Sequence, residues 1–208
     1  MVTLDSKLVE YINQNVLTKY PNDDKAHDIN HINEVIKQGL ELALNYDVDI
    51  NMVYIICAYH DLGNIVDRKL HHLISGQMLK EDQYIKERYD DEKINLMVAA
   101  IEDHRSSLKT PIRNIYGEIL SSADRVIEVD TIILRTYYYG LKHYQDISFN
   151  EQLERIYLHI KNKYQKGGYL KVPILTKSNQ ENLNKLRNLH DDKVAFIKYT
   201  KQLIKKYE

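Results

Sequence analysis

One cysteine, three prolines, seven glycines and no tryptophan occur in a chain of 208 residues. A single cysteine excludes an intrachain disulfide, and the place of Cys57 in an apolar stretch predicts a buried thiol. A chain without disulfides fits a cytoplasmic location. No apolar run approaches the ~20 residues that a membrane span needs. The first residues carry Asp5 and Glu10 and no long apolar core, so they do not read as a signal peptide. Neither sign of charge dominates: 29 Lys and Arg stand against 30 Asp and Glu, a formal net charge of −1. That balance gives no global attraction to nucleic acid or anionic lipid, although it leaves room for a local basic patch. At this length about 70% of the unfolded surface can be buried, so a core needs no covalent staple. The 17 tyrosines, beside many Lys, Ile and Asn, read as codon bias before function.

With so few breakers, helical periodicity recurs and strand alternation is rare, which predicts an all-α fold. Leu4, Leu8, Tyr11 and Ile12 share one face of a first helix. Pro21-Asn22-Asp23-Asp24 reads as a turn, with Asp23 or Asp24 placed to cap the next helix. Ile32, Val35, Ile36, Leu40, Ala43 and Leu44 form the stripe of that second helix, with His27 and His31 four apart at its start. Asp49 or Asn51 can cap a third, which runs through the apolar stretch 52–59 to His60. Leu73, Met78 and Leu79 mark a fourth helix, and Ile94, Met97, Val98 and Ile101 a fifth that delivers His104. Beyond Pro111, a sixth from about Asn114 carries Ile115, Ile119, Ala123, Val126 and Ile127, with Asp124 inside it. Residues 132–141 and 153–164 read as further helices and Gly167-Gly168 as a break. Residues 169–175 read as extended or looped, and 179–207 as one last helix. No repeat or linker marks a boundary. The chain therefore reads as one domain over 1–208, with a core at about 25–130 and a helical extension at about 131–208.

Imidazoles and carboxylates succeed one another in an order that suits a catalytic divalent cation: His31, His60-Asp61, His72, His104, Asp124. Of the three His-Asp pairs, His190-Asp191 lies in a polar stretch and reads as a solvated face. His27-Asp28 opens the second helix. His60-Asp61 ends a run that should be buried, where a charged Asp is costly unless paired or bound to a metal. Adjacent side chains diverge, so they meet at one ion only where the backbone turns. Gly63, two residues on, fits a helix ending there. The plain alternative is a capping Asp beside a core His.

The flanking residues carry a resemblance. His-Asp-Leu-Gly at 60–63, His-Leu-Ile-Ser-Gly at 72–76 and Ala-Asp-Arg at 123–125 stand around the set, which resembles the HD-domain superfamily of metal-dependent phosphohydrolases over about residues 25–130. The resemblance implies an all-α HD-domain helical bundle with additional C-terminal helices, and His31, His60, Asp61 and Asp124 as metal ligands. The start of the second helix, His27-Asp28-Ile-Asn-His31, is similar to that of small stand-alone bacterial members, which places His27 facing phosphate or behind the ligands; His27 reads equally as plain helix-end polarity. Two positions depart from the pattern: Glu34 stands where many members have Arg, and Asn64 where relatives often have Lys. The stretch 62–66 lacks the Glu-Asp pair of the alarmone-hydrolase branch. A single His at 104 disfavours the two-histidine cyclic-dinucleotide branch.

These implications set the expected chemistry. One ion, or two if His72 and His104 are both recruited, would be manganese, iron, nickel, cobalt or magnesium; one is favoured, and His71 reads as exposed. Phosphate-ester hydrolysis needs cations on the non-bridging oxygens and a positioned water, which makes Arg105 and Arg125 candidates, with His27, His72 and His104 lining the substrate. Asp61, Asp67 and Asp103 are candidate acids or bases. Asp67 and Asp103 read as solvent-facing carboxylates before acids or bases. Ser106 and Ser107 fit the mouth of such a site. Tyr137, Tyr138 and Tyr139 read as core packing before nucleobase stacking. The expected substrate is a nucleotide or other small phosphate ester, with no nucleic acid or membrane partner. The rival reading is an HD-fold module that holds metal or nucleotide without turnover, and the bland one a helical protein with structural histidines. The amphipathic C-terminal helix fits its own core and a second copy, as a homodimer, equally well.

Overall fold

The computed structural model describes residues 3–20, 29–105, 108–125, 127–170 and 172–207. The fold is all-α, with eleven helices and no strand among the described residues: α1 Ser6–Asn15, α2 Ile29–Ala43, α3 Ile50–Tyr59, α4 His71–Glu81, α5 Gln83–Lys86, α6 Asp91–Asp103, α7 Ile115–Ala123, α8 Val129–His143, α9 Phe149–Tyr164, α10 Lys177–Asp191 and α11 Lys193–Tyr207. Single 3₁₀ turns occupy Leu17–Lys19 and Leu62–Ile65. No described helix is long and apolar enough to cross a membrane. The chain divides into two compact units, Met1–Arg125 with Val172–Thr176, and Val126–Lys171 with Lys177–Glu208. Lys and Arg number 14 against 21 Asp and Glu in the first unit, and 15 against 9 in the second, formal charges of −7 and +6.

In the first unit α3 is the central rod. It packs on α1, α2, α4, α6 and α7, and every residue of it except Asn51 is buried. A helix apolar all round needs such surroundings. Asp49 rather than Asn51 caps it, accepting from the Asn51 N–H at 2.9 Å, while the Asn51 side chain accepts from the Asp5 N–H. α2 presses close on α3: a Cβ on Gly39 would stand 2.6 Å from the Cys57 sulfur. Cys57 is fully buried, and burial pushes its thiol well above the ordinary range. Leu44 lies just past the end of α2 and is exposed rather than part of its buried stripe. The short helix α5, capped by Asp82, has too few residues for its period to be legible. The segment Val172–Thr176 is a strap on this unit: the Ile174 N–H donates to Ser122 Oγ at 2.9 Å, and Ile174 packs against the core.

In the second unit α8, α9, α10 and α11 all pack on one another. Ile133, Ile156, Ile160, Leu183, Leu186, Phe196 and Ile204 are buried there. The expected single last helix is two. Asp192 breaks it by capping α11, accepting from the N–H groups of Val194 at 2.9 Å and Ala195 at 3.0 Å. His190 is therefore not on a solvated face. It is buried, stacks on Tyr157 at 4.0 Å, donates from Nε2 to the Tyr157 carbonyl and accepts at Nδ1 from Gln165. Only Tyr137 of the tyrosine triplet is core, while Tyr138 and Tyr139 are exposed.

Candidate metal centre

Three helices of the first unit end at one point. His60 is the C-cap of α3, His104 of α6 and Asp124 of α7. The expectation of Asp124 inside a longer sixth helix is corrected: α7 stops at Ala123, and the chain leaves at Asp124. Helix C-termini carry partial negative charge, so three of them with two carboxylates make a site for a cation. Adjacent His60 and Asp61 can both face it because His60 keeps helical dihedrals and Asp61 turns to φ −109°, ψ 5°. His31, in the first turn of α2, completes the ring of groups: its Nε2 stands 3.1 Å from Asp124 Oδ1.

Asp61 sits between two sets of ligands. Its Oδ2 lies 3.5 Å from His60 Nε2 and 4.0 Å from His31 Nε2. Its Oδ1 lies 3.4 Å from His71 Nε2 and 3.7 Å from His104 Nε2. Two groups result that could each hold a metal ion, His31 with His60 and Asp124, and Asp61 with His71 and His104. His71 is a correction. It is half-buried and joins His104 and Asp61, whereas His72 stands beside it with its ring 5.6 Å away.

The donor chemistry fits a metal. His60, His71 and His104 each hold Nδ1 against the carbonyl three residues earlier, Cys57 at 2.8 Å, Arg68 at 2.8 Å and Ile101 at 2.5 Å. Donating there leaves the Nε2 lone pair facing the centre, as metal-binding imidazoles require. His60 Nε2 is buried and has no hydrogen-bond partner. His71 and His104 Nε2 face each other at 3.3 Å, a repulsive contact of lone pairs unless a cation lies between. In the metal-free chain, protons answer that demand. Burial opposes charge on His60, but Asp61 and Asp124 outweigh it and hold its pKa up at about 9. Burial would likewise raise the two carboxylates. The His60 and His104 imidazoles hold Asp61, and His31 and His60 hold Asp124, below the usual carboxylate range.

The remaining candidates fall into place around this cluster. Arg105 Nη1 donates to the Lys69 carbonyl at 3.2 Å, and its charge lies near enough to depress His72. Burial first, then Arg105, His71 and His104, hold the His72 pKa down at about 4. Arg125, expected as a catalytic cation, is turned onto backbone: it donates to the Ser121 carbonyl at 2.5 Å and the His104 carbonyl at 3.4 Å. It clamps the ends of α6 and α7 that carry His104 and Asp124. Asp67, expected as an acid or base, is exposed and accepts from the Lys69 and Leu70 N–H groups at the entry to α4. Asp103 is not solvent-facing. It is buried and held by Arg113 through Nε at 2.9 Å and Nη2 at 2.9 Å, which fixes the end of α6 beside His104. His27, Ser106 and Ser107, and the Pro21–Asp24 turn, lie outside the described residues.

Residues 28–128 match the family model described as HD domain, a span that contains all of the clustered His and Asp ligands. No curated protein and no solved structure gave a match. By this match residues 28–128 are an HD domain, a family generally of metal-dependent hydrolases.

Proposed function

We propose that the chain is a metal-dependent phosphohydrolase that cleaves a nucleotide or another small phosphate ester. The observation that carries this reading is Asp61, set between two imidazole groups at the meeting point of three helix C-termini. His31, His60, Asp61 and Asp124 would hold one ion. Asp61, His71 and His104 support a second, against the single ion favoured from sequence. A divalent ion bound there supplies a Lewis acid and a water of lowered pKa.

The chain's own groups do the rest. Asp61 and Asp124 offer their oxygens as carboxylates at neutral pH. Arg105, held at the rim by the Lys69 carbonyl, presents its other N–H groups to non-bridging phosphate oxygens. His72 enters as a neutral imidazole and serves as a hydrogen-bonding group rather than a cation. The nucleotide class comes from the family, since no described residue beside the cluster is aimed to read a base.

The test is metal content by elemental mass spectrometry on untagged wild type, Asp61→Ala and His71→Ala, paired with a panel of nucleotides and aryl phosphates under each metal. Two ions in wild type, one in His71→Ala and none in Asp61→Ala, with turnover lost alongside the metal, is the expected pattern. Wild type that takes up no manganese, nickel, cobalt or iron(II) would sink the reading. Metal without turnover on any ester would leave a binding module.

A further inference from the structure

The second unit has binding chemistry of its own. Between α8 and α9 lies a cavity of about 830 Å³, within the size range of small-molecule sites. Its wall includes Arg135, Tyr139, Tyr144, Arg155, His159 and Lys163. The Tyr139 and Tyr144 ring centroids are 6.3 Å apart, and the Arg155 guanidinium lies 5.3 Å over the Tyr144 ring.

Arg155 is held in place by neutral groups. Arg155 Nε donates to Gln152 Oε1 at 2.9 Å and its Nη2 donates to the Thr136 carbonyl. Both acceptors are uncharged, so they orient the guanidinium and leave its charge. The two carboxylates of the wall are engaged elsewhere. Glu151 accepts from the backbone and hydroxyl of Ser148 in a capping box, and Glu154 pairs with Lys193 at 2.8 Å. Among the described residues neither Arg135 nor Arg155 has a carboxylate partner. A half-buried guanidinium without counter-charge is costly, and a bound anion repays that cost. The unit as a whole carries +6, which draws anions toward it. His159 feels the same field: burial, then Lys163 and Arg155, lower its pKa.

We propose that this cavity is a second ligand site, taking a small molecule that joins an aromatic ring to a phosphate group, a nucleoside monophosphate being the simplest. Arg135 and Arg155 would take the phosphate, and Tyr139 and Tyr144 the ring. The proposal stands apart from the metal centre and requires no turnover.

Isothermal titration calorimetry on metal-stripped, full-length protein tests it, with AMP, adenosine and inorganic phosphate as probes. AMP is expected to bind once per chain, and adenosine and phosphate each at least about tenfold more weakly, the worth of one stacked ring or one charged contact. Arg135→Gln and Tyr139→Ser change exposed side chains and leave the fold intact, as circular dichroism would verify. Each should weaken AMP about tenfold. Three results would overturn the proposal: no AMP binding at millimolar concentration, both variants within twofold of wild type, or phosphate alone binding as tightly as AMP.

Discussion

His60, His71 and His104 commit one ring nitrogen each to the carbonyl three residues back, which decides what the other can do. Support of this kind extends to Tyr20, whose hydroxyl donates to the Ala58 carbonyl at 2.8 Å, one of the last carbonyls of α3. Burial and the Asp61 charge keep that hydroxyl protonated. Tyr20→Phe should cost about 1 kcal/mol of stability and ~10-fold or more in metal affinity, read by denaturation and by metal titration. In the second unit, His190 gives a pH dependence. Burial lowers its pKa, so the folded state favours the neutral ring. Its contribution is therefore full above the unfolded value of about 6.5 and is lost as pH falls from there toward the lowered folded value. Denaturation of wild type and His190→Gln between pH 8 and pH 5 should show the variant losing less stability on acidification. His71 was not legible from spacing alone: it lies four residues before buried Ser75, but His72 lies four before buried Gly76. The sequence pattern from 72 to 76 points to the wrong member of the pair.

Elements place these residues by where they stop and how closely they approach. Gly63 fits a helix-ending glycine by sequence, yet it has no positive φ. Its role is contact: a Cβ there would stand 2.3 Å from the His71 carbonyl and 2.9 Å from the Ile74 Cβ. Gly63→Ala should push α4 outward, costing about 1–3 kcal/mol from overpacking. It should release metal from the His71 group before the His31 group, by thermal melting and metal counting. Asp192→Ala removes the α11 cap and should destabilise the second unit by ~1 kcal/mol. The longer helices, α5 aside, were legible because amphipathic periods are long and regular. Ends were not: the stripe through Val126 and Ile127 continues past Asp124, and nothing apolar changes across Asp192. Termination there depends on polar groups, Arg125 on the Ser121 carbonyl and Asp192 on two backbone N–H groups, which periodicity does not register.

Over the whole molecule, near-neutral composition conceals two units of opposite charge, −7 and +6. A balance taken over 208 residues hides this, because the acidic excess lies in residues 1–125 and the basic excess in 126–208, while 172–176 carries no charge. The strap is invisible from sequence, since 169–175 reads simply as a loop. It rests on Ser122, whose hydroxyl accepts from the Ile174 N–H and donates to the Glu118 carbonyl at 2.6 Å. Ser122→Ala should cost ~1 kcal/mol and loosen α7, lowering metal affinity with the second unit's stability unchanged, as hydrogen exchange would resolve. The same strap sets an order of assembly. A nascent chain that has emerged as far as Arg125 already carries every ligand of the centre, but not Ile174. Most of the second unit must be synthesised before the helix bearing Asp124 receives its last support. The strap's bond from Ile174 to Ser122 closes a loop of 52 residues, which carries a loop-closure cost of its own. Metal supplied during synthesis would meet an incomplete site, and its capture would be a late event in the protein's life.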